Sequence, residues 1–214
     1  AHIDHSIFIS SWLEEYHRQR GWYCKDSSVI YSGVSSNFGQ FKKTKSEKVR
    51  IVTHHWSNNR MKGFDIYEAD LSGSNPRPLT SSPGYDAEAT YSFDGKKIIY
   101  TSLISGDLDL WYMNPDGSGK QQLTNRLGYD GGAFYSYDAK KIVWRAYYPE
   151  TEEEVADYES LLAENSIRPM ALQIWTMNAN GTNKKQITDN NSANFGPIYY
   201  PKADKIIFSS NMHD

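Results

Sequence analysis

The chain repeats itself, and the period constrains what it can fold into. Gly84-Tyr85-Asp86 returns as Gly128-Tyr129-Asp130, 44 residues on. At the same offset Ser92-Phe93-Asp94-Gly95-Lys96-Lys97-Ile98-Ile99-Tyr100 returns as Ser136-Tyr137-Asp138-Ala139-Lys140-Lys141-Ile142-Val143-Trp144. Lys205-Ile206-Ile207-Phe208-Ser209-Ser210 is a third copy of that strand. The second half of the unit also recurs: Asp65-Ile66-Tyr67, Asp109-Leu110-Trp111 and Gln173-Ile174-Trp175 each lead to a Gly-containing turn and then to Leu79-Thr80, Leu123-Thr124 or Ile187-Thr188. The unit is therefore about 44 residues long, and one copy carries an insertion of 20.

Each unit reads as four short strands. One hairpin turns at Asp94-Gly95 and the next at Asn114-Pro115-Asp116-Gly117, where Pro presets φ and Gly takes the positive φ that closes the turn. The runs between are rich in Ile, Val, Trp and Tyr, as buried antiparallel strands require. Four strands in 40–50 residues, repeated, mark the blades of a β-propeller. The expected class is all-β: about four four-stranded antiparallel blades and one helical insertion. The Gly of the first hairpin turn is not kept: Asp94-Gly95 becomes Asp138-Ala139 and then Ala203-Asp204, so those turns must form without it.

Phe93-Asp94-Gly95-Lys96-Lys97, Met113-Asn114-Pro115-Asp116-Gly117-Ser118-Gly119 and Gln122-Leu123-Thr124 resemble the blade repeat of the TolB-like, WD-repeat-like propellers. The resemblance covers residues 33 to 214. Gly84-Tyr85-Asp86-Ala87-Glu88-Ala89 and the insertion resemble a subgroup in which the propeller stands alone or is fused to a peptidase. It implies an extracytoplasmic protein, periplasmic or secreted, and a ring of six or more blades that binds a protein partner at its channel mouth. Four blades alone would leave two open faces. Each would exceed the ~300–600 Å² of the largest apolar patch on a typical monomer, so a second chain or further blades should complete the ring.

Composition removes other classes. With 23 Lys and Arg against 26 Asp and Glu, the net charge of −3 provides no basic footprint for nucleic acid. Apolar residues make up 38%, with no run near the ~18 that a helical membrane span needs. Cys24 is the single cysteine. It is either a buried thiol or one half of an intermolecular disulfide.

Residues 1–28 lack the repeat and are read apart from the propeller of 29–214. Val29-Ile30-Tyr31 falls where an outermost strand is expected. The insertion, 149–168, should be an acidic helix: Thr151 and Glu154 fit a capping box, Val155, Tyr158, Leu161 and Leu162 share a helical stripe, and Pro169 should end it. Seven acids and no base lie between Glu150 and Glu164. The helix is either a lid on its own blade or a docking surface for a basic partner, with Glu152, Glu153, Glu154 and Tyr158 as candidates.

The candidate site comes from one recurring position. Asn37, Asp86, Asp130 and Asn194 each follow a closing strand by six residues, at the approach to the innermost strand. Glu88 lies two residues beyond Asp86, hence on the same face of an extended segment. Such a ring can tie turns to local backbone N–H groups, bind a partner at the channel mouth, or hold a hard cation such as Ca²⁺ through Asp86 and Asp130. No cofactor is otherwise implied. His54 and His55 point to opposite faces of a strand, and no nucleophile elbow or phosphate loop occurs. The expected function is therefore non-catalytic protein binding or scaffolding. The alternative is an accessory propeller that admits or recruits substrate for a peptidase.

Overall fold

The computed structural model describes residues 6–8, 27–29, 51–53, 65–70, 74–164, 166–168 and 171–213. The chain divides into two units, residues 1–47 and 48–214. In the first, β1 (Ser6–Phe8) and β2 (Ser27–Val29) pair in parallel, an arrangement the antiparallel repeat does not predict.

Among the described residues, the second unit holds four antiparallel sheets. The first blade holds β3 (Ile51–Thr53), β4 (Tyr67–Ala69) and β5 (Arg77–Pro78). The second is a four-stranded meander of β6 (Asp86–Tyr91), β7 (Ile98–Ser102), β8 (Asp109–Met113) and β9 (Gln121–Gln122). The third repeats it with β10 (Tyr129–Tyr135), β11 (Lys141–Tyr147), β12 (Gln173–Asn178) and β13 (Lys185–Gln186). The fourth contributes β14 (Asn194–Tyr199) and β15 (Ile206–Ser210).

Strand periodicity explains how the blades stack. Successive side chains point to opposite faces, so one strand serves both neighbours. Ile98, Tyr100 and Met113 pack with Ile66 and Leu79 of the first blade. Ile99 and Leu110 pack the other way, with Ile142, Trp144 and Met177 of the third. Trp111 and Trp175 border these two cores as half-buried rings. On the fourth blade Phe195, Ile198 and Ile207 are exposed.

The conserved spelling of the unit has a structural cause in each half. In the closing Leu-Thr or Ile-Thr, the threonine hydroxyl accepts an N–H at the start of the third strand: Ile66 N to Thr80 at 2.9 Å, Leu110 N to Thr124 at 2.8 Å, Ile174 N to Thr188 at 2.8 Å. In the outer turns Gly117 and Gly181 have φ of 87° and 84°. A Cβ at Gly117 would also lie 2.7 Å from the Leu79 carbonyl of the preceding blade. The first hairpin turn has no such neighbour at Gly95, yet Ala139 (φ 57°) and Ala203 (φ 56°) keep its left-handed backbone at a steric cost of roughly 1–2 kcal/mol each.

The insertion forms α1 (Glu152–Ala163), with Thr151 as N-cap and both bonds of the capping box in place. It ends at Ala163, with Glu164 as C-cap, while Pro169 lies outside the described residues. The expectation of a lid confined to its own blade needs correction. Tyr158, the buried residue of the helix, donates to Asp107 Oδ1 of the second blade at 2.6 Å and packs with Leu108, Tyr129 and Leu172. The helix thus straddles the second and third blades. Among the described residues, no helix is long and apolar enough to cross a membrane.

Candidate functional site

The first strands of the blades, β6, β10 and β14, lie side by side. Each carries a bulge at the same place: the register shifts between Ala87 and Thr90, Gly131 and Phe134, and Phe195 and Ile198. The residue that makes each bulge has a positive φ: Glu88 at 55°, Gly132 at 59°, Gly196 at 58°. Two of the three are glycines, for which this backbone is free. Glu88 is the exception, held in a conformation that costs about 1–3 kcal/mol.

What holds it is a network into the next blade. The Glu88 carboxylate accepts from Tyr129 Oη at 2.9 Å, from Gly132 N at 2.9 Å, and from Arg145 Nη2. Arg145 Nη2 also reaches Tyr129 Oη at 2.8 Å, and its guanidinium lies 5.2 Å from the ring centroid of Phe195 on the fourth blade. Acid, guanidinium and aromatic ring therefore form a strip across three blades. Burial pushes the Tyr85 hydroxyl up to about 12, and the Glu88 charge adds to that rise.

This geometry corrects one inference. Asp86 and Glu88 do not share a face, because the bulge interrupts the two-residue alternation. Asp86 turns instead toward Thr80 and Ser102. Arg145, Tyr129 and Phe195 were not picked out by the sequence reading. A signal was present: Glu88 stands where the matching copies have Gly39, Gly132 and Gly196.

Asp86, Asp130 and Asn194 head the three first strands, buried at 2%, 0% and 0% exposure. They sit in separate blade junctions. Asp130 Oδ1 accepts from Trp144 Nε1 and Tyr148 Oη, both at 2.6 Å. Asn194 Nδ2 donates to Leu172 O at 2.7 Å and Asn190 Oδ1 at 3.0 Å. The second oxygen of Asp86 and of Asp130, and Asn194 Oδ1, have no hydrogen-bond partner. Burial pushes the Asp130 carboxyl up to about 7, against the pull of the Tyr148 and Trp144 hydrogen bonds. Burial likewise raises Asp86. Among the described residues, no group of three or more His, Cys, Asp or Glu side chains is placed to hold a metal ion. Glu152, Glu153 and Glu154 are exposed on α1, with Glu154 engaged in the cap. Asn37, Cys24, His54 and His55 lie outside the described residues.

Solved structures similar in fold include TolB from Acinetobacter baumannii, with a TM-score of 0.59 and 19% identity over 77% of this chain and 36% of that one. TolB from Agrobacterium tumefaciens gives 0.56 and 20% identity over 75% of this chain and 53% of that one. The fold is that of the TolB-like β-propellers. A puromycin-hydrolyzing peptidase of Mycobacterium tuberculosis shares this TolB-like fold, at a TM-score of 0.53 and 11% identity over 78% of this chain and 25% of that one. No family model and no curated protein matches the sequence. The TolB-like blades described here thus span about half or less of the solved chains they resemble.

Proposed function

We propose that this chain is a non-catalytic protein-binding propeller whose partner docks on the first strands of the blades, at the channel mouth. The observation that carries this reading is the strip formed by Glu88, Arg145 and Phe195. A glutamate is kept in a left-handed backbone to fix an arginine, and strain of that kind is retained where the surroundings use it. Phe195, 45% exposed beside the guanidinium, supplies the aromatic anchor that binding surfaces favour. Asp86, Asp130 and Asn194 fix the heads of the same strands. The resemblance of the repeat to TolB-like propellers supports an extracytoplasmic setting and a ring completed by further blades or a second chain. The exposed Ile198 and Ile207 of the fourth blade fit the second point.

The test places a photo-crosslinking amino acid at Phe195 in the native host. The reading expects one polypeptide captured reproducibly, and capture lost with Arg145→Ala. Capture of no polypeptide, or capture indifferent to Arg145, would refute it. A second reading, an accessory propeller serving a peptidase, draws support from the fold shared with the mycobacterial peptidase. It predicts that the captured polypeptide, or a domain joined to this one, hydrolyses peptides.

A further inference from the structure

The meander gives each blade two chemically different ends. Both hairpin turns lie at one end, while the loop from second to third strand and the link to the next blade lie at the other. Every lysine among the described residues sits at or beside a hairpin turn: Lys96, Lys97, Lys140, Lys141, Lys202 and Lys205 at the first turns, with Lys120, Lys184 and Lys185 next to the second. The turn aspartates there are engaged locally. Asp94 and Asp138 each accept from the serine two residues earlier at 2.7 Å and from a backbone N–H. Between the lysines stand Phe93 and Tyr137, 63% and 61% exposed, their ring centroids 4.8 Å apart.

The opposite end carries α1. Glu150, Glu152, Glu153, Glu159 and Glu164 are exposed there, and Asp157 is paired with Arg168. Large apolar side chains exposed among the loops of that end include Ile104, Leu127 and Ile167. Each end thus carries an excess of one sign of charge beside uncovered apolar groups, and the two ends complement each other.

We propose that a second copy of the chain docks its lysine end on the acidic-helix end of the first, with Phe93 and Tyr137 set against Ile104, Leu127 and Ile167. The contact is head-to-tail, so each added copy presents a fresh acceptor and assembly continues unless the rotation closes a ring. The charges steer and register the encounter, and exposed pairs of this kind are screened by salt. The aromatic pair provides the anchoring area. An anionic lipid surface would suit the lysine end but leaves the acidic end with its apolar loops unexplained. A second copy accounts for both.

Sedimentation velocity over a range of concentrations tests this with two charge-reversed variants. Lys96→Glu/Lys140→Glu inactivates the lysine end. Glu159→Lys/Glu164→Lys inactivates the acidic end while spares the helix, since lysine near a helix C-terminus opposes the dipole favourably. The expected result is association that grows with protein concentration, weakens by about tenfold or more in high salt, and is abolished in either variant alone. Mixed together, the two variants should form a one-to-one dimer that does not grow, because each keeps one intact end. Phe93→Ser/Tyr137→Ser, at exposed turn positions, should likewise abolish growth and replaces either charge variant whose circular dichroism shows misfolding. A monomer at every concentration, or oligomers unaffected by any variant, would overturn the proposal. So would a monomer that binds phosphatidylglycerol vesicles through Lys96 and Lys140, which would assign the lysine end to a lipid surface.

Discussion

Two blade junctions in this molecule have the same plan and different chemistry. Between the second and third blades, Thr124 receives Leu110 N and donates to Asp109 Oδ1 at 3.2 Å, with Asp130 buried beside them. Between the third and fourth, Thr188 receives Ile174 N and donates to Gln173 Oε1 at 2.7 Å, with Asn194 in the place of Asp130. Both carboxylates of one junction are amides in the other. The threonine hook needs only an oxygen to accept its proton, and either pair supplies it. Two buried carboxylates cannot both hold charge cheaply, whereas two amides carry none. The repeat therefore preserves hydrogen-bond geometry and leaves ionisation free to vary: one junction holds two carboxyls raised by burial where its neighbour holds two amides.

The largest effect should come from exchanging the two chemistries. Asp130 binds its proton more tightly folded than unfolded, so its contribution is complete at acid pH and is lost as pH rises through about 7. Asp109 and Asp86, also raised by burial, act in the same direction. Asp130→Asn should therefore raise stability at pH 8 by about 2–4 kcal/mol and flatten its decline between pH 5 and 8. Asn194→Asp should do the reverse at the other junction. Urea unfolding at the two pH values reads both, and an Asp130→Asn protein that keeps the wild-type slope would break the comparison.

Glu88→Gly separates strain from attachment. The substitution releases about 1 kcal/mol of left-handed strain but leaves the half-buried Arg145 without its acid partner. The net expectation is a loss of about 1–3 kcal/mol. A gain in thermal unfolding midpoint would show that the network contributes nothing to stability. Thr124→Val and Thr188→Val should each cost about 1–2 kcal/mol, since each strands the same third-strand N–H. Unequal losses beyond 1 kcal/mol, measured in one denaturant series, would mean the hook depends on the charge of its acceptor after all. The smallest effect is expected at the first hairpin turns. Ala139→Gly and Ala203→Gly should each stabilise by about 0.5–1 kcal/mol, because glycine adopts their positive φ without strain.

The fold was legible because its determinants are local. Asp94-Gly95, Asn114-Pro115-Asp116-Gly117 and Leu123-Thr124 each fix a turn or a hook within a few residues, and the period repeats the message. The helix was legible for the same reason, through Thr151 and Glu154. Its seat was not, because the bond from Tyr158 to Asp107 joins residues 51 apart. Glu88 and Arg145 lie 57 apart and meet only because a bulge turns one side chain out of strict alternation. That bulge was visible only as a glutamate in a glycine's place. Arg145 stands in an ordinary strand run and offered no local sign.

The outer turns have a consequence for how the molecule is made. Gly117 of the second blade seats against Leu79 of the first, and Gly181 of the third packs on Leu123 of the second. Arg77 reaches Pro115 O across the first of these contacts. Each blade is thus received by the one synthesised before it, through contacts between nearest neighbours. Order can then pass along the chain in the direction of translation, each finished blade acting as the template for the next emerging from the ribosome.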